Sequence, residues 1–404
     1  MIMDFSKLPM NNLIVIFIVF LFITLPKIAT SQDFTPGETY YDSNGHVEYR
    51  AGNLPIILSA PHGGRLEPLS IPDRDCMGCV YVKDSWTQTI AEGIYDKFVD
   101  ETGCYPHVII NLLHRKKFDA NRDIGDAADG NPIVEQAWQS YHDFVDAAKM
   151  QIITDYGKGV FLDIHGHAHD IERIELGYLL SGSELRLTDT ELNTNIYIEE
   201  SSIKSLVGNN IQEHSHSILL RGIESFGSLM ENKGFPSVPS LNDPFPDVGE
   251  SYFSGGYNTQ RHGSHNNNST IDAIQLELNS DIRFDATLRE FLIASLTTTA
   301  NEYIDFHYNN QYLANYCNLL LGVPDLNGTE LKFKIYPNPA TDYFQLDSDL
   351  KDIEIIIYNN LGQIVHSEIW SEKIIKIDFL PNGFYFVQLR KENATLENLN
   401  LIKY

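Results

Sequence analysis

A chain of 404 residues exceeds the usual single-domain range, and 43% hydrophobic with 11% aromatic residues supplies a sizeable core, which excludes an intrinsically disordered chain. A formal net charge of −26 repels nucleic acid and anionic lipid surfaces, so neither is an expected partner.

The first 31 residues stand apart from the fold. Lys7 precedes an unbroken apolar run from Leu13 to Leu25, followed by Pro26 and the small-residue exit Ala29-Thr30-Ser31, the order of a secretory signal peptide over residues 1–31. The run is shorter than the roughly 20 apolar residues that span a bilayer. No later segment reaches that length, so no transmembrane segment is expected, and no cysteine sits at the exit to carry a lipid. Loss of the signal removes Lys7, Lys27 and Asp4 and takes the net charge from −26 to −27.

From about residue 54 to 310, apolar runs bounded by turn residues alternate with amphipathic stretches of helical length. Pro55–Ala60, His107–Leu112, Gly159–Ile164 and Ile274–Leu278 read as buried strands, and Thr87–Thr102, Pro132–Tyr156 and Thr287–Phe306 as helices. The alternation predicts an α/β fold, a mixed and mostly parallel sheet flanked by helices, with ligands at the rim where strands give way to loops. Residues 232–270 are rich in Pro, Gly, Asn and Ser and predict a long surface excursion. The cysteines are Cys76, Cys79, Cys104 and Cys317, and export permits a disulfide. Cys76-Met77-Gly78-Cys79 has no second pair to complete a four-thiolate zinc site, which favours a local or loop-stapling bridge.

Near Gly322-Val323-Pro324-Asp325-Leu326-Asn327-Gly328 the helical pattern stops. Short alternating strands follow at Lys332–Tyr336, Tyr343–Leu346, Ile353–Tyr358, Ile374–Ile377 and Phe384–Arg390, a small all-β sandwich. Its ordered motifs are Tyr336-Pro337-Asn338-Pro339-Ala340-Thr341-Asp342, Ile357-Tyr358-Asn359-Asn360-Leu361-Gly362-Gln363-Ile364-Val365, Leu380-Pro381-Asn382-Gly383-Phe384-Tyr385 and a terminal Lys403. This part resembles the C-terminal sorting domain of the type IX secretion system. The resemblance implies that the secretion machinery is a partner and that the mature protein is secreted or held at the cell surface. The boundaries are then a signal peptide at 1–31, a catalytic domain at 32–320, a linker at 321–332 and the sorting domain at 333–404.

Four places carry candidate chemistry. Pro61-His62-Gly63-Gly64 follows an apolar strand directly, and Phe161-Leu162-Asp163-Ile164-His165-Gly166-His167-Ala168-His169 repeats that arrangement, each delivering a histidine to a strand end, where neutral imidazole is the commonest metal ligand. Asn121 and Arg122 offer an amide and a guanidinium fork for a substrate carboxylate, against a solvated cluster of Arg122 with Asp119 or Asp123. Glu277 interrupts an apolar strand pattern and reads either as a general base or, with Gln275 and Asn279, as a solvent-facing edge.

Taken in order, Pro61-His62-Gly63-Gly64, Asp119-Ala120-Asn121-Arg122, Tyr141-His142, Asp163-Ile164-His165, Gly255-Gly256-Tyr257-Asn258-Thr259-Gln260-Arg261-His262-Gly263 and Gln275-Leu276-Glu277-Leu278 resemble the N-formylglutamate amidohydrolase family over about residues 54–306. The Asp-x-Asn-Arg and late Glu elements also look like those of zinc carboxypeptidases, related in fold. The resemblance implies a zinc-exopeptidase-like sheet with one zinc ion held by His62, His165 and a carboxylate. Such an ion lowers the pKa of a water to about 7 and polarises the scissile carbonyl. Glu277 is implied as the general base, Asn121 and Arg122 as the substrate-carboxylate site, and Arg261 or His262 as support for the oxyanion. For the third ligand, Asp84 competes with Glu67, Asp73 and Asp75, and with a helix N-cap role for Asp84 itself. Carboxypeptidases place a Glu three residues after the first histidine, where this chain has Arg65. The chain also has His165-Gly166-His167 where the amidohydrolases have His-Ser, and Cys76 to Cys79 lengthen the loop after His62, so the substrate need not be formylglutamate. Expected is a zinc amidohydrolase acting on an N-acyl amino acid or short peptide; a secreted zinc exopeptidase and a catalytically inactive surface-binding module are the alternatives.

Overall fold

A computed structural model describes residues 34–265 and 269–309, together with 333, 335–338, 340–346, 353–359, 363–370, 374–391 and 394–403 of the C-terminal part. The segments expected as signal peptide, 1–31, and linker, 321–332, lie outside the described residues. Two compact units are present, one within residues 1–321 and one within 322–404.

In the first unit the strands are β1 (Thr39–Tyr41), β2 (Val47–Arg50), β3 (Ile56–Ala60), β4 (His107–Asn111), β5 (Gly159–Gly166), β6 (Ile174–Gly177), β7 (Ser237–Val238) and β8 (Ile271–Leu278). They form one sheet in the order β1-β2-β4-β3-β5-β8-β6-β7. Its centre, β4-β3-β5-β8, is parallel, and β1, β2 and β6 run antiparallel to their inner neighbours. This is the mixed, mostly parallel sheet that the sequence predicts.

Every residue of β3, β4 and β8 is buried, because helices cover both faces. The Thr87–Thr102 and Ala286–Ile304 helices pack Ile90, Ile94, Phe98, Leu292 and Leu296 against Leu58, Leu162 and Leu276. On the opposite face the Pro132–Tyr156 helix sets Val134, Tyr141, Val145 and Ile152 against Ile57, Phe161 and Ala273. That long helix starts where Asn131 accepts the Ile133 and Val134 N–H groups ahead of Pro132, and stops at Gly157 with φ 77°. Its neighbours in sequence fix the direction of the sheet. From β3 the chain moves outward to β4, then returns across β3 to β5 and on to β8, so the connections of β3 and β5 diverge. A crevice opens between the C-terminal ends of that pair, the position where α/β sheets bind ligands.

Residues 232–270 are not a surface excursion throughout. Ser240, Asn258, Thr259 and His262 are fully buried, because β7 joins the sheet edge and the Tyr257–His262 helix folds back onto β5 and β8. Cys76 and Cys79 form the local disulfide expected of an exported chain; Cys317 lies outside the described residues.

Asp272, on β8, is fully buried and accepts from Ser264 Oγ, the Leu206 N–H at 3.1 Å and the Tyr308 hydroxyl at 2.7 Å. Burial drives its carboxyl up to about 7, against these three donors. A folded pKa above the unfolded value of about 3.9 makes the contribution to stability full below pH ~4 and progressively lost as pH rises to about 7. Asp272→Asn is therefore expected to gain on the wild type by up to about 1.4 kcal/mol per pH unit across that window. Urea midpoints measured at several pH values test this, and a pH-independent difference would refute it.

The second unit contains a three-stranded sheet of Ile335–Tyr336, Tyr343–Leu346 and Ile374–Lys376, and a four-stranded sheet of Ile353–Asn359, Ile364–Trp370, Gly383–Lys391 and Ala394–Lys403. Phe344 and Ile375 from one sheet share a core with Ile355, Val387 and Leu389 from the other, as in a sandwich. Ile364–Trp370 and Ala394–Lys403 are strands beyond those expected from the sequence. Among the described residues no helix is long and apolar enough to cross a membrane.

Candidate active site

His62 follows β3, and His165 and Glu277 each stand one residue before the end of β5 and β8, so three strands deliver side chains to the same end of the sheet. His165 is paired in register with Glu277, and Glu277 with Glu175 on β6. Residues paired this way point to one face, so His165, Glu277 and Glu175 form a row across the sheet.

Asp84 completes a triangle with the two histidines. Nδ1 of His62 lies 3.1 Å from Nδ1 of His165, and Asp84 Oδ2 lies 3.2 Å from the first and 3.4 Å from the second. Behind each ring stands another carboxylate: His62 Nε2 is 2.7 Å from Asp119 Oδ1, and His165 Nε2 is 2.7 Å from Asp163 Oδ2. A carboxylate only accepts, so each Nε2 carries the hydrogen and each Nδ1 presents a lone pair. Two lone pairs and an anionic oxygen thus converge with no donor among them, which favours a cation at their centre. Ligands at the metal–ligand distances of zinc stand about 3.3 Å apart at tetrahedral angles, so the donor set fits such an ion in spacing, chemistry and carboxylate-backed orientation.

Without a cation, protons bear the cost. Burial disfavours a charged His165, but Asp163 and Asp84 outweigh it and hold its pKa well above the ordinary histidine range. Burial likewise opposes ionisation of Asp84, yet His62, His165 and Arg115 keep its carboxyl far below the usual range. For Glu277 burial prevails, raised further by Asp84 and Glu175 and opposed by His165, and its carboxyl is driven up to about 8. Gln275 Nε2 donates to its Oε1 at 2.9 Å. Glu277 is 5% exposed, so Gln275 and Glu277 are not the solvent-facing edge that strand alternation allows.

The structure separates Asp84 from its competitors. Glu67 and Asp73 pair with Lys116 and Lys117 on the surface, at 2.6 and 2.7 Å, and Asp75 is exposed. Nor is Asp84 a helix cap: Trp86 precedes the Thr87–Thr102 helix and no side chain caps it. Asp84 instead accepts the Gly166 N–H at 3.1 Å and Arg115 Nη1 at 3.2 Å. Arg115 Nε also reaches Asp119 Oδ2 at 3.1 Å, tying Asp84 to the carboxylate behind His62. Arg74 reaches Asp119 as well, at 3.6 Å, while donating to the carbonyls of Arg115, Val80 and Asp126, which binds the disulfide loop to the same knot.

Glycines act here through closeness. A Cβ on Gly64 would stand 2.3 Å from the Leu113 carbonyl oxygen, and one on Gly166 would stand 2.3 Å from the Arg283 guanidinium carbon. Arg283, threaded past Gly166, donates to the carbonyls of Leu278, Ser85 and His167 and locks the ends of β8 and β5 to the Asp84 segment.

Asn121 is buried beside this centre, its N–H on Asp119 Oδ1 at 3.0 Å and its Oδ1 accepting the Asn258 N–H at 2.7 Å. Arg122 is half-buried, donates to the Asn121 carbonyl at 2.8 Å, and has no ion-pair partner among the described residues, so the solvated cluster with Asp119 or Asp123 does not form. Arg261 and His262 share no hydrogen bond or ion pair with this group. Arg261 lies over the Trp138 ring at 5.1 Å. His262 is fully buried, with His142 Nδ1 2.9 Å from its Nε2 and Asp146 3.6 Å from its Nδ1. Tyr141, from the same helix as His142, bonds Ser59, which donates to Asp163 Oδ1 at 2.7 Å.

Residues 334–403 match the family model of the secretion system C-terminal sorting domain, so the second unit is an export module. No curated protein matches the chain. Among solved structures, an N-formylglutamate amidohydrolase of Ralstonia eutropha JMP134 is similar at 13% identity and a TM-score of 0.37, covering 64% of this chain and 98% of that one. A gene product of Agrobacterium tumefaciens gives 12% and 0.38, covering 64% and 94%. The CwlD amidase of Clostridioides difficile, solved with the GerS lipoprotein, gives 11% and 0.26, covering 62% and 98%. At these TM-scores the likeness carries no argument about chemistry, which rests on the side chains themselves.

Proposed function

We propose that the first unit is a zinc-dependent amidohydrolase that cleaves an amide bond of a carboxylate-bearing substrate, an N-acyl or N-formyl amino acid or a short peptide. One observation carries the reading: the Nδ1 atoms of His62 and His165 and Asp84 Oδ2 converge at 3.1 to 3.4 Å, each imidazole backed by a carboxylate, with Glu277 next in the row. His62, His165 and Asp84 would hold the ion. When bound, zinc supplies a Lewis acid that acidifies water and polarises a carbonyl.

The chain's own groups do the rest. Glu277, held by Gln275, takes the proton from the attacking water and returns it to the departing amine. Arg122, with no ion-pair partner among the described residues, and Asn121 bind the substrate's carboxylate, a charge-assisted contact of about 1.5–3 kcal/mol. The sorting domain and the signal peptide deliver the enzyme through the type IX machinery to the cell surface or the medium.

Metal analysis of the purified mature protein, paired with hydrolysis of N-formyl and N-acyl amino acids and short peptides, tests the proposal. One zinc per chain and release of a free amino acid from an N-acyl amino acid are expected. A chain without zinc after zinc supplementation would leave a surface-binding module, and cleavage of peptides alone would point to an exopeptidase.

A further inference from the structure

The two imidazoles of the triangle are backed unequally. Behind His62, Asp119 is paired with two guanidiniums, Arg115 at 3.1 Å and Arg74 at 3.6 Å. Behind His165, Asp163 is fully buried and has no Lys or Arg partner among the described residues. A buried carboxylate without a cation has to be held by hydrogen bonds. Asp163 has three. Its Oδ2 takes the His165 Nε2–H at 2.7 Å, and its Oδ1 accepts from Ser59 Oγ at 2.7 Å and, more distantly, from Asn258 Nδ2 at 3.5 Å.

The directions of these bonds are fixed. Ser59 on β3 stands opposite Asp163 on β5 in register. Because a carboxylate only accepts, Ser59 spends its single hydrogen there, and its oxygen is left to accept from the Tyr141 hydroxyl. Tyr141, itself fully buried, reaches in from the Pro132–Tyr156 helix. The string Tyr141 to Ser59 to Asp163 therefore has one arrangement of hydrogens, and it leaves His165 with its hydrogen on Nε2 and its lone pair on Nδ1, the atom of the triangle. Asn258 carries the string on toward the other histidine. Its backbone N–H donates to Asn121 Oδ1 at 2.7 Å, and the Asn121 N–H donates to Asp119 Oδ1 at 3.0 Å, the oxygen that holds His62 Nε2.

This polar string crosses apolar ground. Ile57 and Phe161, two residues before Ser59 and Asp163 on the same face of the same strands, belong to the core under that helix. Apolar side chains of similar volume could fill the place of Ser59, Asp163 and Tyr141 without desolvation cost, so the stability of the fold gives no reason for the trio.

We propose, resting on the metal centre of the reading above, that Ser59 and Tyr141 are positioning residues which set the affinity for zinc: by locking Asp163 they hold His165 Nδ1 toward the ion. Neither is one of the three ligands, and they stand at one and two removes from Asp163. Without the serine hydrogen, Asp163 Oδ1 keeps only the longer bond from Asn258. The carboxylate then turns more freely, and ordering it with the His165 ring becomes a cost of binding the ion.

Zinc affinity of the full mature chain, measured on chelator-treated protein by competition with a chromophoric chelator, tests this without reference to turnover. Ser59→Ala is expected to weaken zinc about 10-fold, the low end for a partner behind a metal ligand. Tyr141→Phe, which removes only the hydroxyl, should give a smaller loss in the same direction and serves if Ser59→Ala does not fold. Thr297→Val is the control: it deletes a buried hydroxyl that donates to the Ile293 carbonyl at 2.9 Å, on the helix that packs against the other face of the sheet, and zinc affinity should stay at the wild-type value. Wild-type affinity in both Ser59→Ala and Tyr141→Phe would overturn the proposal, and so would an equal loss in Thr297→Val, which would reduce the effect to general destabilisation. A wild type that binds no zinc would sink this inference and the hydrolase reading together. Zinc binding that Ser59→Ala weakens, in a protein that hydrolyses none of the substrates offered, would uphold the positioning role and sink the hydrolase reading alone.

Discussion

Glu277→Gln is expected to reduce turnover by about 10³-fold while zinc content and KM stay near wild type. The magnitude is that of losing one positioned general base, 10²–10⁴. Gln keeps the shape and can still accept the Gln275 amide through its own carbonyl oxygen, so the contact at 2.9 Å survives. It is also neutral at a position where burial has driven the carboxyl up to about 8, so the metal-free variant should be no less stable than the wild type at pH 8 and above. Lost activity therefore cannot be laid to unfolding. Zinc analysis, steady-state kinetics and a melting curve on the same preparation make the check, and turnover within a few-fold of wild type would remove Glu277 from the mechanism.

The framework that holds Glu277 is visible in the sequence because strands buried on both faces read as unbroken apolar runs. Pro55–Ala60 and Gly159–Ile164, read from pattern alone, differ by a residue or two from Ile56–Ala60 and Gly159–Gly166. The Thr87–Thr102 and Pro132–Tyr156 helices are equally plain, since each carries one apolar stripe against one core, whereas Ala286–Ile304 is apolar on several faces and leaves Leu288 and Phe291 exposed. At β8 the pattern is less decisive, because alternation of Gln275, Glu277 and Asn279 suits a wet face as well as a functional one. Burial by the Tyr257–His262 helix, folded back from a segment whose composition suggests only loop, decides it.

The same limit explains which parts of the site spacing leaves open. Asp84 follows an irregular loop, and nothing in spacing separates it from Glu67, Asp73 or Asp75; only the fold turns the latter three to the surface. Asp163 could be found by alternation, lying two residues before His165 on the same face. Asp119 stands in the Asp119-Ala120-Asn121-Arg122 motif, but no spacing sets it behind His62, where Arg115, four residues earlier, and Arg74, from another loop, pair with it. Arg261 and His262 sit at the end of a short helix whose register turns them to Trp138 and His142, a rotation that no motif encodes.

The second large effect falls on the metal itself. His165→Ala removes one of three protein donors, opens the triangle with His62 and Asp84, and strands Asp163, which then faces neither ring nor ion. Zinc content should fall from one per chain to a small fraction of that, and turnover should vanish with it. Binding to the folded state alone stabilises by RT ln(1 + [L]/Kd), about 2.7 kcal/mol at 100 times Kd. Added zinc should therefore raise the melting temperature of chelator-treated wild type by several degrees and leave His165→Ala where it was. Glu277→Gln, which keeps all three donors, should show the full wild-type shift. The two variants thus part binding from proton transfer: both silence the enzyme, one with the ion in place and one without. A His165→Ala protein that still carries one zinc, or melts higher when zinc is added, would place the ion elsewhere and dissolve the triangle as a metal centre.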